Sequence, residues 1–276
     1  MKQTFLVDKN TLSIKEKYGF VPTSVMNFKA IPEKWQSIDE LLDIDLTRRS
    51  KTTVVLPELK YSKFSYGLSE FVLDYWTQEN DIVYDPFMGW GIRGAVSILM
   101  NRKYIGVDIS KSMYERAGKF LNDIMWKINP DTAYYLHHAD STRPQPCLKN
   151  NNIDFIFSCP PYYNLEVYPD NDDNQLSRQD SYDDFLMLIG DCLIECYKLL
   201  KHGKYAAFVV ADWRDKGYKL FHSHFIELAH NAGFELWDVI VLQLNSPFAF
   251  WKCGANERAK YTAKSHEYLL VFKKVS

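Results

Sequence analysis

The sequence predicts a doubly wound α/β fold, a mostly parallel sheet with an antiparallel edge strand and helices on both faces. Three observations predict it. From residue 81 short β-rich runs alternate with helical patterns, as crossover connections between parallel strands require. A glycine-rich turn follows the first of those runs, where such sheets bind ligands. Two longer β runs close the chain, supplying the antiparallel finish common in mixed sheets.

The central strands read as Ile82 to Tyr84, Tyr104 to Val107, Ala133 to Leu136, Ile153 to Phe157 and Tyr205 to Val210. Ahead of them, Leu68, Phe71, Val72, Tyr75 and Trp76 recur at spacings of three and four, one apolar stripe of a helix. Ser181 to Leu200 repeats that pattern, with Phe185, Leu188, Ile189, Cys192, Leu193 and Cys196 inward and a break at Lys201-His202-Gly203. Cys192 and Cys196 therefore read as core residues. A helix around Leu220 to Asn231 precedes the closing runs, Phe234 to Leu244 and His266 to Phe272. Residues 1–60 read as an appendage of unclear role, with Ser37-Ile38-Asp39-Glu40 as a capping box, and 61–276 as the domain.

The composition narrows the function classes. The 276 residues are 46% hydrophobic, enough for a sizeable core. Lys and Arg number 33 against 35 Asp and Glu, so any polyanion must meet a local patch and not a global field. No apolar run approaches the ~18 residues of a membrane span, and the first residues lack the apolar centre of a signal peptide. Five cysteines without a CxxC pair suit neither a disulfide framework nor a zinc site. The expectation is a cytoplasmic protein with reduced thiols, no metal and no membrane partner.

Two segments carry chemistry. In DIVYDPFMGWGIRGA, a strand runs into Asp85-Pro86 and then Gly89, Gly91 and Gly94 before a helix. Glycines there let the backbone approach a ligand. Asp108 ends the next strand nineteen positions after Gly89, where a carboxylate accepts both hydroxyls of a ribose. The bland reading is a glycine turn with a solvated acid. An acid four residues ahead of the first glycine would repel a pyrophosphate but suits a cationic amine. This favours S-adenosylmethionine over NAD. The second segment, Ser158-Cys159-Pro160-Pro161-Tyr162-Tyr163, ends the fourth strand. Two prolines force the chain out of the sheet and leave carbonyl oxygens free. A fixed carbonyl beside an aromatic ring can hold a planar base by its exocyclic amine, although packed tyrosines on a proline turn explain the same string.

DPFMGWG followed by SCPPYY resembles motifs I and IV of the DNA amino-methyltransferases, which methylate N4 of cytosine or N6 of adenine. Tyr61-Ser62-Lys63-Phe64, Asp108, Asp140-Ser141, LLKHGKYAAFVVAD and KSHEYLLVFKK match in order, over residues 60–276. The resemblance implies an S-adenosylmethionine-dependent enzyme acting on nucleic acid, DNA first. Asp85, Gly89 and Gly91 would hold the methionine part, Asp108 the ribose and Asp140 the adenine, with Lys63, Phe64, Phe87, Ile109 and Ser141 beside them. Cys159, Pro160, Pro161 and Tyr162 would be the catalytic tetrapeptide, with Tyr163 near the base. The family usually opens that tetrapeptide with Ser in cytosine enzymes and Asp or Asn in adenine enzymes. Cys159, a poor acceptor, is nearest in shape to Ser and favours cytosine. Trp90 and Arg93 replace small polar residues usual in the family. A covalent cytosine-C5 mechanism would need the thiol after the prolines. Pro146-Cys147 has that order without the context.

For DNA contact the candidates are Lys252, Arg258 and Lys260, on a 251–264 loop of net +3, while 48–63 carries net +4. Residues 170–184, net −5, argue against a duplex approaching there. Two other classes remain open at this point: an NAD-dependent oxidoreductase, which would place a His or Tyr donor near the nicotinamide, and a non-catalytic binding module.

Overall fold

The computed structural model describes residues 17, 22–27, 64–127, 131–165, 174–244, 260–262 and 264–275. Among the described residues the elements follow one another as β1 (Val25–Asn27), α1 (Tyr66–Trp76), β2 (Ile82–Asp85), α2 (Ile92–Leu99), β3 (Lys103–Asp108), α3 (Lys111–Lys127), β4 (Tyr134–His138), β5 (Ile153–Ser158), α4 (Tyr182–Leu199), β6 (Leu200–Val210), β7 (Trp213–Arg214), β8 (Tyr218–Lys219), α5 (Phe221–Asn231), β9 (Glu235–Gln243) and β10 (His266–Lys273). Eight strands make one sheet in the order β1-β9-β10-β6-β5-β2-β3-β4, and β7 pairs with β8 in a separate ribbon.

The central strands form where the sequence is apolar on both faces. All six residues of β5 are buried, the pattern of a strand covered on both sides. Alternation puts Phe155 and Phe157 in the layer under α1, α2 and α3 and Ile156 in the layer under α4 and α5; Ile153 joins Ile156 because the register shifts between Ile153 and Phe155. Ser65 opens α1 by accepting from the Leu68 amide (3.3 Å), and Ser181 opens α4 by accepting from that of Asp184 (3.1 Å). Asp183 and Asp184 sit in the first turn of α4, where the helix dipole favours negative charge. Part of the acidic run is thus a helix start; Asp170, Asp172 and Asp173 lie outside the described residues.

Three boundaries differ from the sequence expectation. The Lys201-His202-Gly203 break is where α4 ends, yet the chain enters β6 at Leu200 with no loop between. Those polar residues continue as strand, with the Gly203 amide bonded to the Lys274 carbonyl (2.7 Å). The antiparallel strand is β10, which lies inside the sheet between β6 and β9. Beyond β9 comes β1, parallel to it with Val25 opposite Val241, so the stretch read as an appendage contributes the outermost strand. The proposed capping box at 37–40 lies outside the described residues. Strand order reverses between β2, followed by β3 and β4 on one side, and β5 and β6 on the other. That switch point is where α/β sheets open a crevice at their carboxyl ends.

Candidate active site

A cleft opens at the switch point, where sheets of this kind bind their ligands. The loop after β2 gives it Pro86, Phe87 and Gly89, and the end of β3 gives Asp108 and Ile109. Asp140, Ser141 and Thr142 follow β4, and Cys159 and Pro161 follow β5. A fifth segment, Asn174 to Ser177, completes the lining, and nothing in the sequence singles it out. Asn174 Nδ2 donates to Asp140 Oδ2 (2.8 Å), joining that segment to the β4 loop.

The glycine turn is built by close approach. Gly91 caps α2 in the left-handed region (φ 79°), and a Cβ there would lie 3.2 Å from Ala117 Cβ. A Cβ on Gly94 would come within 2.6 Å of the Tyr104 ring. That contact lets the Tyr104 hydroxyl reach Asp85 (2.9 Å). The Gly89 amide donates to Asp108 Oδ2 (2.8 Å) and the Ser110 amide to Asp108 Oδ1 (2.9 Å). Burial pushes the Asp108 carboxyl up to about 6, against the opposing pull of these amides. Each oxygen keeps a lone pair for a further donor.

Asp85 is placed differently from the sequence expectation. Its carboxylate has 0% exposure and lies beneath the cleft. Arg93 binds it through Nε (2.7 Å) and Nη2 (3.3 Å), Ser158 Oγ donates to it (2.6 Å), and the Phe87 amide closes a turn onto it (3.2 Å). Arg93 also donates to the Phe87 carbonyl (2.6 Å) and lies over the Phe64 ring at 4.7 Å. Its already high pKa rises further, because Asp85 outweighs the burial. Phe64 itself packs edge-on against Phe157 (5.5 Å). Asp85, Phe64 and Gly91 therefore support the cleft from below. Lys63 lies outside the described residues.

Of the tetrapeptide, Cys159 and Pro161 face the cleft and Pro160 is buried. The half-buried Tyr162 ring meets Trp213 at 5.4 Å and Phe221 at 6.2 Å, both edge-on. Tyr163 packs on Tyr182 and Phe185 (5.9 Å each). Lys260 is exposed; Lys252 and Arg258 are outside the described residues. Cys147 lies away from the cleft on the β4–β5 connection, its sulfur 3.6 Å from His137. Neither His nor Tyr is among the described residues lining the cleft. No group of acid, His and Cys side chains able to hold a metal occurs among the described residues, and no described helix is long and apolar enough to cross a membrane.

The family model for DNA methylases of the N6/N4 type matches residues 25–119 and 153–276. The chain belongs to the N6/N4 DNA methylase family. Its match starts at residue 25, so it includes β1, and it spans both the glycine turn and the tetrapeptide. This methylase-family chain is 43% identical over 60 residues to the orphan methyltransferase M.BamHII of Bacillus amyloliquefaciens, covering 22% of this chain and 23% of that protein. It is 46% identical over 46 residues to the type II methyltransferase M2.LlaDCHI of Lactococcus lactis subsp. cremoris, 17% of each. The matched segments thus span less than a quarter of either relative. In fold it is similar to a SAM-dependent methyltransferase from Methanosarcina mazei, at TM-score 0.51 and 13% identity over 74% of this chain and 97% of that one.

Proposed function

We propose that the protein transfers a methyl group from S-adenosylmethionine to the exocyclic amino group of a DNA base, cytosine N4 in preference to adenine N6. The observation carrying this reading is that the family's two motifs meet on one cleft, which Gly89, Asp108 and Asp140 line together with Cys159 and Pro161. Membership in the methylase family supports it.

The donor set fits a nucleoside bearing an amino acid. Asp108 offers acceptors for ribose hydroxyls, and Phe87, Ile109 and Leu176 supply apolar walls. The Ser177 hydroxyl is buried on the cleft wall without a partner among the described residues, an orphan that a ligand would satisfy. Asp85 takes a positioning role, since its charge is already matched by Arg93. S-adenosylmethionine, when bound, supplies an electrophilic methyl on a sulfonium sulfur. The chain holds the target amine: the Pro160 carbonyl accepts a hydrogen bond from one amino N–H, which turns the nitrogen lone pair out of ring conjugation, Tyr162 stacks on the extruded base, and the proton the nitrogen gives up once methylated leaves to water. Membership in the methylase family favours methyl transfer over a nicotinamide reaction. Cytosine is preferred because Cys159 is closest in shape to serine.

Incubation with labelled methyl donor and mixed nucleic acids, followed by nucleoside mass spectrometry, tests cofactor, substrate and atom together. N4-methylcytosine in DNA is the expected product. N6-methyladenine alone would reverse the choice of base, and no labelled nucleoside would sink the activity. Cys159→Ser keeps the side chain's shape with a better acceptor, so transfer should persist or rise. Its loss in a folded, cofactor-binding variant, with a trapped protein–base adduct in the wild type, would point to covalent attack.

A further inference from the structure

After β6 the chain detours through the β7–β8 hairpin before α5. Its turn holds Lys216 and Gly217 at positive φ, and Trp213 pairs with Lys219 and Arg214 with Tyr218. Opposed residues share a face, so the ribbon has two different sides.

The inner side belongs to the catalytic segment. Trp213 is 8% exposed and meets the Tyr162 ring. Asp215 accepts from Nδ2 of Asn164, the residue after Tyr163 (3.4 Å). The base of the hairpin is fixed by buried Asp212, which accepts from the His222 amide (3.0 Å) and imidazole Nδ1 (2.8 Å). The outer side is unlike a folding surface. The Arg214 guanidinium lies over the rings of Tyr218 (5.0 Å) and Tyr261 (4.6 Å). Those rings remain 48% and 38% exposed, and Lys216 is exposed at the tip. The outer cations are Arg214 and Lys216; Lys219 shares the Trp213 side and lies over the Tyr182 ring at 4.5 Å, and the ribbon's one acid, Asp215, is turned to Asn164. Planar rings interleaved with cations match a ligand that is itself planar and polyanionic.

We propose that the 213–219 hairpin is a DNA-contacting element beside the target base, with Arg214 and Lys216 on phosphates and Tyr218 stacked on a neighbouring nucleotide. The proposal rests on the reading above that DNA is the substrate. It explains why a short ribbon is braced against Tyr162: the strand would be gripped next to the position where the base leaves the stack. None of Trp213 to Lys219 lines the cofactor cleft, so the two functions are separable.

The test uses the full chain, a fluorescently labelled DNA duplex and fluorescence anisotropy across a salt series, with calorimetry of methyl-donor binding. Arg214→Ala combined with Lys216→Ala should lower the log–log salt slope by about 1.8, roughly 0.9 per phosphate contact. Tyr218→Ala should weaken binding by about 5- to 150-fold, while Tyr218→Phe retains it and shows that the ribbon still folds. Methyl-donor affinity should be unchanged in all three. Variants with the wild-type slope and affinity, while the wild type binds and methylates DNA, would overturn the hairpin assignment and leave the activity standing. A wild type that binds the methyl donor but neither binds nor methylates DNA would overturn both, as would hairpin-dependent binding confined to RNA.

Discussion

Asp85→Ala is expected to destabilise the fold by about 3–5 kcal/mol, the range for breaking a buried ion pair by removing one partner. The carboxylate is the common acceptor for Arg93, Tyr104 and Ser158. Its loss leaves a guanidinium 5% exposed and two hydroxyls without that acceptor, and charge desolvation dominates the sum. Urea unfolding measures it. Adding Arg93→Met, which removes the stranded cation, should restore part of the stability, because an apolar pair of similar volume avoids the desolvation. A loss below ~1 kcal/mol, or no coupling in the double variant, would show that Asp85 is not the anchor. Ser158→Ala is milder and more specific. It cuts the bond between the glycine turn and the residue preceding Cys159, so cofactor affinity should hold while the methyl-transfer rate falls.

How much of this was legible in the sequence depends on the range of the interaction. The strands β2, β3 and β5 and the second half of β6 stand out because both of their faces are buried, so apolar residues cluster in short runs. The glycine turn and the tetrapeptide stood out because glycine and proline write backbone geometry directly into the sequence. The Asp85 network did not, since its partners lie 8, 19 and 73 positions away and nothing local marks Arg93 or Ser158 as neighbours. The chain position of Asp85 suits a ligand amine; the cation it meets is the internal Arg93. β7 and β8 are two residues each, too short for any periodicity. Asn174 to Ser177 were hidden inside a run whose acidic count drew attention to charge.

Methyl-donor affinity should fall about tenfold between pH 7.5 and pH 5, provided Asp108 must be ionised to accept the ribose hydroxyls. With its carboxyl pushed up to about 6 by burial, roughly one molecule in ten carries the charge a unit lower. The sign for stability is opposite. A folded-state value raised above the ordinary 3.8 means that the native state holds the proton more tightly. Its contribution is fully present below about 3.8 and is lost as pH rises through about 6. Acidification to pH 5 therefore eases the folded protein at this residue while weakening its ligand. Asp108→Ala should cost roughly 1.5–3 kcal/mol of cofactor binding through two charge-assisted hydrogen bonds, and Asp108→Asn should flatten the pH dependence. Calorimetry over a pH series checks both, and an unchanged affinity in Asp108→Ala would remove the residue from the site.

The pairing of Val25–Asn27 along β9 has a consequence for solubility. The Val241 amide finds its acceptor in the Ser24 carbonyl (2.7 Å), and Val239 to Leu242 form an unbroken aliphatic run with Trp237, 51% exposed, close by. Cutting the chain at residue 60 would leave the cleft's residues in place but strip the cover from that strand. A bare, apolar, hydrogen-bond-hungry edge is a template for another copy of itself. The shortened protein would therefore be prone to add strands between molecules, and three residues far from the chemistry would be what keeps the chains apart.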